Sequence, residues 1–154
     1  MAIVSDDDHP LSPAEFASIY SRVPRLTVEV VLRNDSGAVF LVKRAIPPCA
    51  GQWHLPGGTV RFGEPLLDAV RRIARREVGV DVVQAHDNGC IEYPSHYLNG
   101  LDCPVGIVFE ATRYTGKVGV NKSEGADGDW FSRLPAAMHA DQDTYLVERG
   151  YLAR

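Results

Sequence analysis

The stretch "GGTVRFGEPLLDAVRRIARREVGV", Gly57 to Val80, decides how this chain folds. Pro65 suits the first turn of a helix and Gly79 suits the position just past its end, so the spacing predicts a helix from Pro65 to Val78 entered through a glycine turn. Leu66, Leu67, Ala69, Val70, Ile73 and Ala74 form a broad apolar stripe, which commits one side of that helix to a core. Arg71, Arg72, Arg75 and Arg76 crowd the last two turns, where cations favour the negative end of the helix dipole. One glutamate, Glu77, stands among them.

The flanking sequence supplies layers for this helix to cover. "RLTVEVVLRN" alternates, with Leu26, Val28, Val30 and Leu32 on one face, and "AVFLVKRA" follows a turn at Asn34 to Gly37, so the two read as a hairpin. "HLPGGTVRF" is a short strand running into the glycine turn. Further strands are expected at Val80 to Val83, Gly89 to Tyr93, Val105 to Tyr114 and Asp129 to Phe131, and "PAAMHADQDTYLVERGYL" is helical in composition. Near the start, "LSPAEFASIYSRV" offers Ser12 as N-cap, Pro13 at the first helical position and Glu15 three residues in, with Phe16, Ile19 and Tyr20 on one side. No repeat or linker-like shift divides residues 1–154. The expectation is one α+β domain with a mixed central sheet.

Composition narrows the function. A chain of 154 residues with 45% hydrophobic content can build its own core without staples. Sixteen basic against 20 acidic residues give a formal charge of -4, which argues against coating a nucleic acid and leaves small anions to a local arginine cluster. Cys49, Cys90 and Cys103 form no Cys-x-x-Cys pair and are odd in number, so no disulfide framework or structural zinc motif is read from them. "MAIVSDDDHP" lacks the basic start and apolar run of a secretory signal, and no apolar stretch reaches membrane-spanning length. A cytoplasmic location is the expectation.

Gly58, Glu64, Arg72, Glu77, Gly79 and Val80 fill the pattern G-x5-E-x7-R-x4-E-x-G-hydrophobic, preceded by "PGG". On these residues the chain resembles the Nudix hydrolases, whose signature is G-x5-E-x7-R-E-U-x-E-E-x-G-U with U a bulky apolar residue. The resemblance implies an α/β/α sandwich and a hydrolase using magnesium, with manganese as an alternative, on a nucleotide. Two clustered glutamates of the signature are replaced, by Ile73 and Arg76, so Glu77 alone cannot build a multi-metal cluster. Arg76 is a candidate to stand in for a second cation. A box depleted in this way, with "LSPAEFASIYSRVP", Lys43 and Arg44, and "GQWHLPGG", is similar to the GDP-mannose mannosyl hydrolase subgroup. That similarity implies a nucleotide-sugar substrate and a homodimer in which the helix at about 12–22 takes part.

By the same resemblance, metal is held by the main-chain oxygen of Gly57, by Glu77 and by a later loop, "NKSEGADGDW", where Glu124 is the expected second carboxylate. Arg44 and Arg72 would neutralise a diphosphate, and Glu29 would sit near the sugar or the metal waters. Glu64 and Arg72 have a second reading, as a pair that locks the loop and orients Glu77. Trp53 and Tyr93 are candidates to stack on a nucleobase, with core packing as the alternative. The subgroup's histidine base is replaced by Gly125, so attack at the anomeric carbon and attack at phosphorus both stay open, with His96 and Asp127 as substitute bases. Two other readings are a silent nucleotide-binding module of the same fold and a nucleoside triphosphate pyrophosphohydrolase.

Overall fold

The computed structural model describes residues 9–120 and 127–154. Helix α1 (Pro13–Tyr20) is followed by strands β1 (Arg25–Val31), β2 (Val39–Lys43), β3 (Trp53–His54) and β4 (Gly57–Thr59), then helix α2 (Leu66–Val78). Strand β5 (Asp81–Glu92), helix α3 (Pro94–Leu98), strands β6 (Pro104–Thr115) and β7 (Asp127–Phe131) and helix α4 (Ala140–Glu148) complete the order.

The strands form two sheets. One has the order β4-β1-β6-β5, with β1 parallel to β6 and antiparallel to β4, while β5 runs antiparallel to β6. The other is antiparallel, in the order β3-β2-β7. Alternation along β1 fixes what each face meets. Val28 and Val30 join Phe109 and Ala111 of β6 under Ala69, Val70, Ile73, Ala74 and Val78 of α2, whereas Val31 joins Val108, Ile91 and Leu55 under Tyr145 and Leu146 of α4. Helices therefore cover both faces, the α/β/α arrangement expected of the sequence.

Several element boundaries differ from the sequence reading. The supposed hairpin pairs only at its tip, through the Arg33–Val39 bridge and the Phe40 N–H to Leu32 carbonyl bond, because β1 and β2 belong to different sheets. The two expected strands between Val80 and Tyr93 are one long edge strand, β5, whose register shifts at Val82–Gln84, Gln84–Ala85 and Asp87–Cys90. Bulges of this kind let a polar segment stay in a ladder. The closing helix is shorter than its composition suggests and starts at an N-cap, His139, whose Nδ1 accepts the Asp141 N–H. At the other end, the Ser12–Glu15 capping box is present in full.

Candidate active site

A cavity of about 310 Å³ is walled by β1 and β4, by the loop after β2, and by the ends of α2, α3 and α4. Its floor is decided by strand register. Glu29 of β1 lies opposite Gly57 of β4, and Thr27 lies opposite Gly106 of β6. A Cβ on Gly57 would sit 1.8 Å from Glu29 Oε2, and one on Gly106 would sit 2.8 Å from Oε1, so a carboxylate occupies the room that two glycines leave on either side of it. Glu29 is 6% exposed. Its Oε1 accepts hydrogen bonds from Tyr93 Oη (2.8 Å) and Thr27 Oγ1 (3.1 Å), and Tyr93 Oη in turn accepts from Gln142 Nε2 (2.9 Å). Burial lifts the Glu29 carboxyl from 4.5 to about 7, against the opposing pull of those two hydroxyls and of the Arg25 charge. Burial and the Glu29 charge likewise raise Tyr93.

Glu77, at the end of α2, brings a second carboxylate to the same wall, where its Oε2 accepts the Gly57 N–H at 3.1 Å. Positive charge enters from three places. Arg25 bonds Asp102 Oδ2 (2.6 Å) and Thr59 Oγ1 (2.8 Å), Arg44 donates to the Ile46 carbonyl (3.0 Å), and Arg76 lines the cavity from α2. Desolvation lowers Arg44, the direction for a cation drawn partly out of water.

Asp102 and two histidines occupy another stretch of the wall. His96 Nδ1 lies 3.0 Å from Asp102 Oδ1, and His96 Nε2 lies 3.2 Å from His139 Nε2. Burial alone would raise Asp102, but hydrogen bonding from His96 and the charge of Arg25 outweigh it and hold the carboxyl below its usual range. His54 is buried, with Nδ1 2.7 Å from the Leu55 carbonyl, and desolvation depresses it to about 4, so it is neutral near pH 7.

Glu29, Tyr93, Arg44, Gly57, Glu77 and His96 are thus brought together in one cavity. Arg72 and Glu64 stand outside its wall. Arg72 Nε and Nη2 meet the Glu64 carboxylate at 2.7 and 3.0 Å, Nη2 meets the Thr59 carbonyl at 2.9 Å, and Glu64 Oε2 takes the Arg61 N–H at 2.9 Å. That pair staples the glycine turn to α2. Trp53 packs edge-on to Phe131 with Lys43 over its ring, outside the cavity wall. Asp127 is exposed, its Oδ1 accepting the Gly128 N–H. Glu124 and Gly125 lie outside the described residues. Arg25, Asp102, His139 and Gln142 were not singled out from the sequence, and only their polarity amid apolar neighbours could have flagged them.

A hard divalent cation fits the carboxylate end of the cavity. Two carboxylates converge on the Gly57 backbone, Glu29 seated against its Cα and Glu77 bonded to its N–H, and such an ion takes oxygen donors from one or two carboxylates with the remainder from substrate and water.

The layered fold, the stapled glycine turn and the glutamate at the helix end are those of the Nudix hydrolases. Residues 23–148 match the NUDIX domain family, and the chain belongs to it. The Haloferax volcanii low-salt glycan biosynthesis protein Agl8 is 37% identical over 102 residues, which cover 64% of this chain and 65% of that protein. The mouse 8-oxo-dGDP phosphatase NUDT18 is 24% identical over 157 residues, covering 97% of this chain and 46% of that protein. The chain thus spans under two thirds of the length of either relative. A MutT NUDIX hydrolase structure from Burkholderia pseudomallei superposes with a TM-score of 0.73 at 28% identity, over 82% of this chain and 97% of that one. The MutT protein of Methanosarcina mazei shares the fold, with a TM-score of 0.67 at 21% identity over 81% and 91% of the two chains. The family to which the chain belongs is one of hydrolases that use divalent metal ions on small-molecule substrates. Among the described residues no helix is long and apolar enough to cross a membrane.

Proposed function

We propose that the protein is a magnesium-dependent hydrolase of a nucleoside diphosphate derivative, specifically a nucleotide sugar. The observation that carries this reading is one cavity in which Glu29 and Glu77 flank Gly57 while Arg25, Arg44 and Arg76 line the same walls. Carboxylates suit the metal, and guanidinium groups suit the diphosphate. The remaining wall, with Tyr93, Asp102 and Gln142, offers polar groups of the kind that bind a hydroxyl-rich sugar. A relative named for glycan biosynthesis supports a sugar, and one named as an 8-oxo-dGDP phosphatase supports a nucleoside diphosphate.

In this reading Gly57 through its carbonyl, Glu77 and Glu124 hold the ion. Magnesium, or manganese in its place, would polarise phosphoryl oxygens when bound. Arg44 and Arg76 neutralise the diphosphate. Glu29, whose carboxyl exchanges its proton near neutral pH, takes the proton from an attacking water at Oε2. Arg72 and Glu64 act at a distance by fixing the turn that carries Gly57. The same reading takes residues 1–154 as one domain working as a homodimer.

The test is a magnesium-dependent screen of nucleotide sugars and nucleoside triphosphates, run in oxygen-18 water with products resolved by mass. Turnover of nucleotide sugars that disappears in Glu77→Gln is the expected result. Label in the free sugar places attack at carbon, and label in a phosphate product places it at phosphorus. Preference for triphosphates, or full activity in Glu77→Gln, would overturn the assignment.

A further inference from the structure

The three side chains that converge on the cavity from its other elements are of a different chemical kind from the carboxylates. Cys49 on the loop after β2, His96 on α3 and His139 at the N-cap of α4 place one donor atom each within 4.8 Å of the other two. We propose that these residues form a separate, thiophilic metal site that takes zinc, with a fourth coordination position left open to the cavity.

The geometry points to an ion in several ways. The two Nε2 atoms are 3.2 Å apart, close to the ~3.3 Å that two imidazole nitrogens adopt on one tetrahedral zinc with bonds of about 2.0–2.1 Å. His96 is held in place from behind, because its Nδ1 faces Asp102 Oδ1 at 3.0 Å and Asp102 is itself fixed by Arg25 at 2.6 Å. A histidine backed by a carboxylate is the usual support for a metal-bound imidazole. Cys49 adopts a left-handed backbone, with φ of 64°, a conformation L residues rarely take without a reason in their surroundings. Nitrogen and sulfur donors select zinc over magnesium, so the two sites do not compete for one ion.

Proton positions give the empty and loaded states distinct signatures. Without metal, Asp102 Oδ1 accepts a hydrogen bond from the His96 Nδ1–H, leaving a lone pair on His96 Nε2. His139 Nδ1 accepts the Asp141 N–H at 3.2 Å, so its own proton sits on Nε2 and points at His96. Zinc takes the place of that shared proton. The His139 proton moves to Nδ1, and the Asp141 N–H bond is given up. The Cys49 thiol loses its proton to solvent, giving one net proton released per zinc bound. Bringing Sγ to bonding distance needs a closure of ~1 Å by the loop.

The experiment is a titration of the full-length protein with cobalt(II), as a spectroscopic stand-in for zinc, in excess magnesium. A one-to-one thiolate-to-cobalt charge-transfer band is expected, displaced by zinc and strengthening with pH as one proton is released. Cys49→Ser should remove the band, and His96→Asn should weaken binding by more than the ~10-fold that disturbing even a ligand's hydrogen-bond partner costs. Glu77→Gln should leave the band unchanged, which separates this site from the magnesium reading. Absence of the band in the folded wild-type protein overturns the proposal. A band that survives Cys49→Ser, which would assign it to Cys90 or Cys103, overturns it equally.

Discussion

Glu29 is the buried carboxyl at the floor of the cavity, and its pH behaviour can be worked out with its sign. The folded carboxyl is raised from 4.5 to about 7, so between those values the folded state binds more protons than the unfolded one. Its contribution is fully present below about 4.5 and is lost as pH rises through 7, on the order of 3 kcal/mol in total. His54 has the opposite sign, since its folded value falls from 6.5 to about 4 and it destabilises the fold as pH drops through that window. The two slopes oppose each other in the wild type. Glu29→Gln should remove one of them, so that the variant gains about 3 kcal/mol relative to wild type between pH 4.5 and 7, read by urea unfolding in a chelator. A constant gap between the two proteins would show that Glu29 does not titrate there. Gly57→Ala belongs to the same niche. Its Cβ would meet Glu29 Oε2 at 1.8 Å and the Val28 carbonyl at 2.9 Å, so a loss of about 2 kcal/mol is expected, reduced but not erased in a Glu29→Ala background. A double-mutant cycle by chemical denaturation reads the coupling, and strict additivity would count against the niche. Glu29 was legible as a candidate, but its burial was not, because the opposing glycines come from strands far apart in sequence.

At the level of elements, α2 was the most legible part of the chain because apolar stripe, cation-rich end and C-cap all agree. Gly79 does take the left-handed conformation, with φ of 72°, and closes the helix with bonds to the Ala74 and Arg75 carbonyls. What spacing could not decide was whether Arg72 faces substrate or staples the turn. The structure gives Arg72 a bidentate partner in Glu64, with side chains 18% and 13% exposed, and a third bond to Thr59. Lysine cannot reproduce that fork. Arg72→Lys should therefore cost about 2 kcal/mol, lowering Tm by about 4–8 °C for a chain of this size. By contrast, the Arg75–Asp81 pair is 73% and 59% exposed, and Arg75→Ala should move Tm by no more than about 2 °C. Calorimetry on both variants checks the contrast, and equal shifts would remove the distinction between staple and surface pair. β5 was read as two strands because its middle, "QAHDN", is polar. An edge strand with bulges tolerates such residues, since one side of its ladder faces water.

For the molecule as a whole, alternation in β1 and the stripe on α2 made two covered faces readable, whereas the meeting of α4 with the cavity was not. His139 and Gln142 reach Tyr93 and Leu55 across long sequence separations, and no local pattern encodes such contacts. The surface beside α1 leads to the last prediction. Phe16 is buried under Arg25 and Tyr20, anchoring the capped helix, while Ile19, Val23 and Leu26 are 41%, 47% and 44% exposed. Val23 shares a groove with Tyr97, which is 50% exposed, and the neighbouring Leu98 is 76% exposed. Val23 and Tyr97 in that groove, with the exposed apolar side chains of neighbouring sequence, are costly to leave in water, and a second copy of the chain would cover them. Light scattering at micromolar concentration should then give twice the chain mass for the wild type. Val23→Asp should give the single-chain mass with an unchanged circular dichroism spectrum, because Val23 is exposed within one chain and a charge there disrupts only the contact between copies. A wild-type protein of single-chain mass would overturn the dimer, and a Val23→Asp protein that stays dimeric would move the interface away from α1.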